Sequence, residues 1–442
     1  MVQTAYIILG AIFGTIITIF IMRYPHLGVI FTVASLPIIE LLPAIPVFSS
    51  IMPIVGGLTL VALLLTVRKR GWKTQSKFGW IHIFGLLFIL WMFLSNPTAA
   101  WSGRDRNWVF TFVQLWVLMF LAGELLDTPE KQQLLMWVFA LISVFSAFFA
   151  IQQGYIGETH EASIRATGFV DNANAAARYF TVAMVFLSYL RAEITDPFPR
   201  FLTLVGIIIT YLGVFFTASR SGMVLIFAAQ ALLILFQTEI RKRARLTLIF
   251  SIGLVGLFFL ASNVINILET ILPTVIEGSD TMGLRYDLWT AAWRMFKEKP
   301  ITGVGIGVYR WIVPQYSQDL FYIRNRNIWV HNTYIQILAE TGIVGFVLFM
   351  GMFITASFNF LRAKVQHVSG FVALRDIWLI VFLVMLLGGI TKSDHADKFT
   401  WMVMGLSTFF IRQSEEAKVD SQNPSLSSPA LPVDSAVTES HP

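Results

Sequence analysis

The 442-residue chain contains no cysteine, which excludes disulfide bonds, thiolate nucleophiles and cysteine-ligated metal sites. Charged residues are also scarce, at 13% of the chain, whereas a soluble domain carries roughly 25%. No GxxxxGK[ST] segment occurs, and the glycines of GVGIGVY are spaced G-x-G-x-G, which indicates a tight turn and not a phosphate-binding loop. There is no HExxH pair, and His160 and His395 stand singly. These absences argue against an ATP-driven pump and against a metalloenzyme.

Hydrophobic residues are abundant, at 56% of the chain with a mean hydropathy of +0.70. Apolar runs of about 20 residues recur, and each is long enough to cross a bilayer as a helix. We therefore predict an all-α polytopic membrane protein with twelve or thirteen transmembrane helices. The first run continues into others and lacks a small-residue cleavage site, so we interpret it as a retained span. The predicted spans lie near residues 5–22, 27–47, 51–67, 80–95, 108–126, 133–151, 174–192, 201–217, 222–237, 246–267, 333–361, 376–391 and 398–411.

The second predicted span is the least regular, because Pro37, Pro43 and Pro46 interrupt it. Proline removes a helical hydrogen bond, so we expect this segment to be kinked or re-entrant. Whether this segment crosses the membrane decides between twelve and thirteen transmembrane helices. Thirteen spans place the N-terminus outside the cytoplasm, and twelve place it inside.

Basic residues predict the orientation of the chain. Three clusters, within 68–77, 241–245 and 362–375, fall on one side of the predicted bundle, which we assign to the cytoplasm. The opposite side then holds short loops and one large extracytoplasmic loop, 268–332. We assign residues 1–412 to one transmembrane domain. The tail 413–442 is rich in serine, proline and acidic residues and is predicted to be a disordered cytoplasmic segment.

Within the large loop, Arg285 opens a predicted short helix over about residues 284–296. Trp289, Trp293 and Phe296 would share one face of that helix, a pattern typical of a helix lying in the membrane interface. Arg285 would then point toward a lipid headgroup. The alternative is an ordinary loop arginine, and position alone does not separate the two.

Arg220 lies in TASRSG, between two predicted spans. A cation beside the bilayer is costly unless it is paired or functional, and outer loops are usually poor in basic residues. The neighbouring hydroxyls belong to Thr217, Ser219 and Ser221. Arginines and helix N-termini both suit phosphate oxygens, so this short loop is a candidate phosphate site. The alternative is an arginine that snorkels to the interface.

His331 directly precedes a predicted helix whose N-cap is Asn332 or Thr333. The positive end of that helix disfavours imidazolium, so we expect a neutral imidazole able to accept a proton, as a general base must. A structural loop histidine is the alternative. Farther back in the chain, Arg165 is a candidate anion contact, and Asn172 and Asn174 either contact substrate or simply start a helix.

Five segments occur in a characteristic order: G-F-x-x-N-x-N, S-R-S-G, G-x-R-x-x-x-W, G-x-G, and H-N-x-Y-x-Q-x-L-A-E-x-G. This order resembles that of the O-antigen ligase and O-antigen polymerase superfamily over most of residues 160–410. The last segment is the most specific, and the N-terminal third matches only in hydropathy. Ala173 stands where the family often has a proline between the two asparagines.

The resemblance implies a C-type glycosyltransferase-like fold with a periplasmic cavity, working without metal or cofactor. The donor would be a glycan on undecaprenyl pyrophosphate. Arg220 and Arg285 would bind the pyrophosphate, and His331 would activate the acceptor hydroxyl, which attacks with inversion. The candidate substrate-binding residues beside them are Arg165, Asn172, Asn174 and Asn332.

The function expected from this resemblance is transfer to lipid A core, as by an O-antigen ligase of the inner membrane. The alternative within the superfamily is a polymerase whose acceptor is a second lipid-linked repeat unit. A polysaccharide transporter without catalysis is the alternative from another class, since broken helices and charges near the membrane would suit it. The net charge of +6 gives no argument for nucleic acid.

Overall fold

The structure is a computed structural model that describes residues 14–42, 51–70, 78–97, 107–156, 165–236, 281–317, 329–363 and 370–422. Within these residues the regular secondary structure is entirely helical, which confirms the all-α prediction. The helices are α1 Gly14–Arg23, α2 His26–Ala34, α3 Met52–Arg70, α4 Trp80–Ser95, α5 Trp108–Leu125, α6 Pro129–Ile156, α7 Ala173–Glu193, α8 Pro197–Phe216, α9 Arg220–Phe236, α10 Thr281–Glu298, α11 Tyr309–Ile312, α12 Thr333–Arg362, α13 Phe371–Gly388 and α14 Lys398–Gln422.

Five of these helices, α5, α6, α8, α12 and α13, are long and apolar enough to cross a membrane, and α1, α3, α4 and α9 are shorter apolar helices. The chain is therefore a polytopic membrane protein, as predicted. The predicted span 246–267 and much of the large loop lie outside the described residues.

Helix α7 forms the centre of the bundle. Nearly all of its side chains are buried, and it packs against α6, α8, α9 and α13. Small residues permit this close approach: a Cβ on Gly222 of α9 would lie 2.4 Å from the Cβ of Ala177. Small residues at helix contacts are typical of membrane bundles, where packing replaces the hydrophobic effect between helices.

The predicted irregular span 27–47 is broken where the prolines predicted a break. Helix α2 ends at Ala34, and a 3₁₀ segment, Leu36–Leu41, follows with Pro37 in its first turn. Residues 43–50 lie outside the described part of the chain. Residues 26–42 are thus not one straight span.

Helix α12 is interrupted at Gly342, whose φ of 66° and ψ of −172° are not helical. A break inside an apolar bundle leaves backbone groups that need new partners. The loop after α10 supplies most of them: Val304 N–H donates to Ala339 O at 3.0 Å, and Gly305 N–H donates to Glu340 O at 2.8 Å. The remaining contacts come from Ile343 N–H, which donates to Pro300 O at 2.8 Å, and from the Trp91 indole, which donates to Thr341 O at 2.8 Å.

The glycines of GVGIGVY make this contact possible. Gly303, Gly305 and Gly307 all have positive φ, as the prediction of a tight turn requires. A Cβ on Gly303 would lie 2.4 Å from the backbone carbon of Glu340, and one on Gly342 would lie 2.1 Å from Ile301 O. The Glu340 side chain is fully buried, and its carboxylate accepts from Tyr309 N–H at 3.2 Å. The loop and the broken helix therefore fold as one unit.

The two remaining predictions about secondary structure need correction. The tail was expected to be disordered from residue 413, but α14 continues to Gln422 and buries Ser414 completely. Extending a packed helix avoids the cost of nucleation, and the polar residues that follow include good helix formers. Residues 423–442 lie outside the described part.

The interfacial face proposed for α10 is also wrong in part. The Trp289 indole donates to Val330 O at 3.0 Å, so this ring faces the protein. The buried stripe of α10 is instead Leu288, Ala291, Ala292 and Met295. Trp293, which is 47% exposed, and Phe296 lie together with ring centroids 5.2 Å apart.

Candidate functional site

The predicted site residues lie at one end of the bundle, where α7, α9 and α12 begin. Asn174, at the start of α7, is the polar centre of the first group. Its side-chain oxygen accepts from Arg165 Nη2 at 3.0 Å, Ser219 Oγ at 2.7 Å and Ser221 Oγ at 3.4 Å. Arg165 Nε donates to Thr217 O at 3.2 Å. The structure thus brings together three segments that the sequence singled out separately.

The connection between α8 and α9 is tight, since Ala218 has a φ of 48°. Ser219 Oγ accepts from Gly222 N–H at 3.0 Å, so Ser219 caps the next helix. Arg220 is the first residue of α9, and its side chain is exposed at this end of the bundle. Asn172 caps α7 by accepting from Asn174 N–H and Ala175 N–H, so its helix-starting role is confirmed.

Three arginines share one electrostatic environment at this end. Burial, followed by the charges of Arg285 and Arg220, lowers the pKa of Arg165. Burial, followed by the charge of Arg220, lowers the pKa of Arg285. No carboxylate of the described residues forms a salt bridge with any of the three. Mutually repelling cations without an acidic partner are the arrangement that an anionic ligand stabilises.

His331 stands at the entrance to α12 in the left-handed backbone region, with a φ of 55°. Asn332 is the N-cap of this helix, because its side-chain oxygen accepts from Tyr334 N–H and Ile335 N–H, each at 3.0 Å. Of the two cap residues considered from the sequence, the structure thus selects Asn332. Histidine tolerates the left-handed region better than bulkier or branched residues do, but the conformation still costs free energy.

Thr333 fixes this strained turn to the loop that follows α13. Its N–H donates to Gly389 O at 2.8 Å, and its hydroxyl donates to Lys392 O at 2.8 Å. The same hydroxyl accepts from Asp394 N–H at 2.8 Å. The backbone at His331 is therefore held from two directions, by the cap of its own helix and by this loop.

The imidazole of His331 is kept neutral. Burial, followed by the charges of Arg285 and Lys392, lowers its pKa to about 4, although Asp394 acts in the opposite direction. The predicted neutral imidazole therefore has a physical cause in its surroundings. The charge of Arg285 acts on the pKa of both His331 and Arg165, so the three side chains lie near enough to interact.

The sequence reasoning missed a buried ionic cluster beneath the site. Arg178 of α7, only 2% exposed, forms salt bridges with Asp394 and, at 3.5 Å, with Asp397. Tyr179 donates to Asp397 Oδ1 at 3.1 Å, and Lys392 lies 3.2 Å from Asp394 Oδ1. An arginine one turn beyond Asn174, inside a predicted span, was the available signal. This cluster connects α7 to the loop that holds Thr333.

An aromatic cluster lies next to His331 in the chain. The Arg310 guanidinium lies 4.8 Å from the ring centroid of Trp329, which also contacts Trp108. His395 is buried against Trp108, with ring centroids 5.3 Å apart. His395 thus packs among aromatic rings, and His160 lies outside the described residues. The described residues contain no group of three or more acidic or histidine side chains suited to a metal ion.

The comparison with protein families connects this geometry to known proteins. A family model described as O-antigen ligase matches residues 205–350. Residues 205–350 are therefore similar to the O-antigen ligase family. The O-antigen ligase region includes Arg220, Arg285 and His331, and residues that precede it, Arg165 and Asn174, complete the polar cluster around Ser219. This similarity supports a glycosyltransferase-like enzyme with an O-antigen ligase-type function. A search of curated proteins found no match.

Proposed function

We propose that the protein transfers a glycan from undecaprenyl pyrophosphate to an acceptor hydroxyl at the periplasmic face of the inner membrane. The observation that carries this proposal is the pairing of mutually repelling arginines with a neutral imidazole at one end of the bundle. Arginines favour a doubly charged leaving group, and a neutral imidazole accepts the proton that an attacking hydroxyl releases.

The arginines would bind the pyrophosphate. Arg220 is exposed at the start of α9, and Arg285 lies close enough for the two charges to interact. As the sugar leaves, the negative charge on the pyrophosphate grows, so fixed guanidinium groups stabilise the transition state more than the bound donor. Arg165, held by Asn174, adds a third positive charge. Two or three arginines supply the charge that a metal ion supplies in other glycosyltransferases, so the proposed mechanism needs no metal.

His331 would act as the general base. The acceptor hydroxyl attacks the anomeric carbon of the donor sugar, and a new carbon–oxygen bond forms. The bond from that carbon to the pyrophosphate oxygen breaks, and its electron pair leaves with the pyrophosphate. The hydroxyl proton passes to His331, whose pKa of about 4 keeps the imidazole unprotonated at neutral pH. A single displacement from the face opposite the leaving group inverts the anomeric configuration.

The charge distribution supports a site outside the cytoplasm. Three of the described basic residues, Arg68, Arg362 and Arg375, lie near helix ends opposite to the one where α7, α9 and α12 begin, and Arg412 pairs with Glu124 near that opposite end. Basic residues mark cytoplasmic loops. A transporter would concentrate its charges near mid-membrane, whereas these candidate charges gather at one end of the bundle.

The acceptor distinguishes a ligase from a polymerase, and we favour the ligase, with lipid A core as acceptor. The test is to incubate purified protein and lipid-linked repeat units, with a metal chelator present, with and without lipid A core. Glycosylated lipid A that forms only when core is added supports the ligase. A ladder of longer lipid-linked chains from repeat units alone would instead identify a polymerase. No transfer to either acceptor would overturn the proposed function.

A further inference from the structure

An apolar groove lies between α2, α3 and α5, away from the arginines. Its volume is about 420 Å³, within the range of roughly 300–1,000 Å³ typical of ligand pockets. Phe110 and Val113 of α5 line it and are 46% and 42% exposed, so the groove faces the outside of the bundle. In a membrane protein that face borders lipid.

Two glycines keep the groove open. Gly56 and Gly57 of α3 line it, and a Cβ added to either would meet no atom within 4 Å. Gly28 of α2, in the same groove, is different: its Cβ would lie 1.8 Å from Thr59 Oγ1. Gly28 therefore serves the packing of α2 on α3, whereas Gly56 and Gly57 leave space that no side chain of the described residues occupies.

Lys398 and Gln114 supply the charged group and the amide among the residues that line the groove. Lys398 lies at the end that adjoins the site, because it follows the loop whose Asp394 N–H donates to Thr333. Gln114 lies deeper, one turn of α5 beyond Phe110, or about 6 Å by helical rise. The Gln114 amide has no hydrogen-bond partner among the described residues and is half-buried among apolar side chains.

The order of a cation, an amide and apolar walls along the groove matches an acylated lipid with a phosphate headgroup better than a polyprenyl pyrophosphate. An acylated lipid with a phosphate headgroup has ester or amide carbonyls a few atoms below the phosphate, and only then hydrocarbon. Lys398 suits the phosphate, Gln114 suits a carbonyl, and the apolar walls suit the acyl chain. A polyprenyl pyrophosphate has hydrocarbon directly below its phosphates, so it would leave the half-buried Gln114 amide unpaired.

We propose that this groove binds one acyl chain of an acylated, phosphate-bearing lipid that serves as the acceptor. The acceptor role rests on the proposed function. The loop 389–397 forms salt bridges with Arg178 of α7, the helix that also carries Asn174. The same loop borders the groove through Ala396. Donor and acceptor lipids would thus approach His331 from different flanks of that loop.

The test measures lipid binding directly. Purified protein in detergent is mixed with lipid A, and the fraction carrying one bound lipid A is measured by native mass spectrometry. Gly56→Leu places a side chain in the open space of the groove and should reduce binding at least about tenfold. Gln114→Leu should reduce it about three- to tenfold. Gly14→Leu is the matched control, because Gly14 also has open space around its Cβ but borders a different cavity.

Each other outcome contradicts the proposal. Equal lipid A binding by the wild type and Gly56→Leu would show that the groove is not the binding site. Displacement of lipid A by an equal concentration of undecaprenyl phosphate would assign the groove to the polyprenyl chain. Transfer assays on the same samples separate the two proposals. If the wild type transfers glycan and Gly56→Leu binds lipid A normally, the groove proposal is wrong and the proposed function stands. If the wild type binds lipid A but transfers no glycan to it, the bound lipid is not the acceptor.

Discussion

At the scale of single residues, the planar shape of Arg285 should matter as much as its charge. Lysine keeps the charge but cannot form two parallel hydrogen bonds to phosphate oxygens. Arg285→Lys should therefore lower kcat/KM for the lipid-linked donor by roughly 10–100-fold, the effect of losing one charged hydrogen bond. Arg294→Lys on the same helix is the control, since Arg294 only donates to Tyr316 O at an exposed position. Equal effects of the two changes would contradict specific phosphate binding by Arg285.

His331 offers a test in which fold and chemistry separate. Asparagine also tolerates a φ of 55°, whereas alanine would add about 1–2 kcal/mol of backbone strain. His331→Asn should keep the fold while lowering kcat by roughly 10²–10⁴-fold, the usual contribution of a general base. Thermal unfolding in detergent serves as the check on folding. A folded His331→Asn protein with full transfer activity would remove the base mechanism.

The pH dependence of the wild type follows from the same residue. Because the pKa of His331 in the folded protein is about 4, transfer should fall only as the pH decreases through about 4. Between pH 6.5 and 4 the unfolded chain binds a proton at this histidine and the folded protein does not, so the free energy of unfolding should decrease over that range. His331→Asn should show a weaker loss of stability there.

At the scale of structural elements, the break in α12 depends on glycine. Gly342→Ala adds a Cβ that would lie 2.1 Å from Ile301 O, in addition to the cost of a positive φ. Gly370→Ala is the control, since Gly370 has a φ of 82° but open space around it. We expect Gly370→Ala to lose about 1–2 kcal/mol and Gly342→Ala to lose about 1–3 kcal/mol more. Similar melting temperatures for the two variants would show that the loop at 300–307 can move to accommodate the added Cβ, which would contradict the prediction.

The Arg178 cluster should stabilise the loop that holds Thr333, and through it the position of His331. Arg178→Met leaves Asp394 and Asp397 buried without their cation, which costs about 3–5 kcal/mol when one partner of a buried ion pair is removed. Lys131→Met, which removes a more exposed ion pair at the other end of the bundle, should cost under about 1 kcal/mol.

Adding Asp394→Asn and Asp397→Asn to Arg178→Met should recover stability. Because the loop that holds Thr333 would still lack its anchor, kcat should remain low while the KM of the donor changes little. Full recovery of kcat would limit Arg178 to a structural role.

The sequence predicted those elements whose signal is local. A helix cap at Asn172, one at Asn332 or Thr333, a proline break within 27–47 and the turn at GVGIGVY each depend on nearby residues. The structure has all four, with Asn332 as the second cap. The buried face of α10 and the role of Arg178 depend on contacts with distant segments, such as Val330 and Asp394. Periodicity carries no information about such partners, which is why Trp289 was assigned to the membrane.

At the scale of the whole molecule, the candidate site lies at one end of the bundle, and Arg68, Arg362 and Arg375 lie toward the other. Because loops rich in lysine and arginine remain in the cytoplasm, this asymmetry predicts that the candidate site faces the opposite compartment. The position of Arg220 and His331 could be predicted from the order of the spans alone. The approach of each of them to Arg285 could not, since it depends on how α9, α10 and α12 pack.

The absence of cysteine makes this orientation directly measurable. Lys299→Cys places a thiol at an exposed position after α10, at the site end, and Thr195→Cys places one at an exposed position between α7 and α8, at the other end. A membrane-impermeant maleimide added to intact spheroplasts should label Lys299→Cys and leave Thr195→Cys unlabelled until the membrane is permeabilised. The wild type gives no background because it has no thiol. Labelling of Thr195→Cys alone in intact spheroplasts would place the arginines and His331 in the cytoplasm, where a glycan displayed on the periplasmic face cannot reach them.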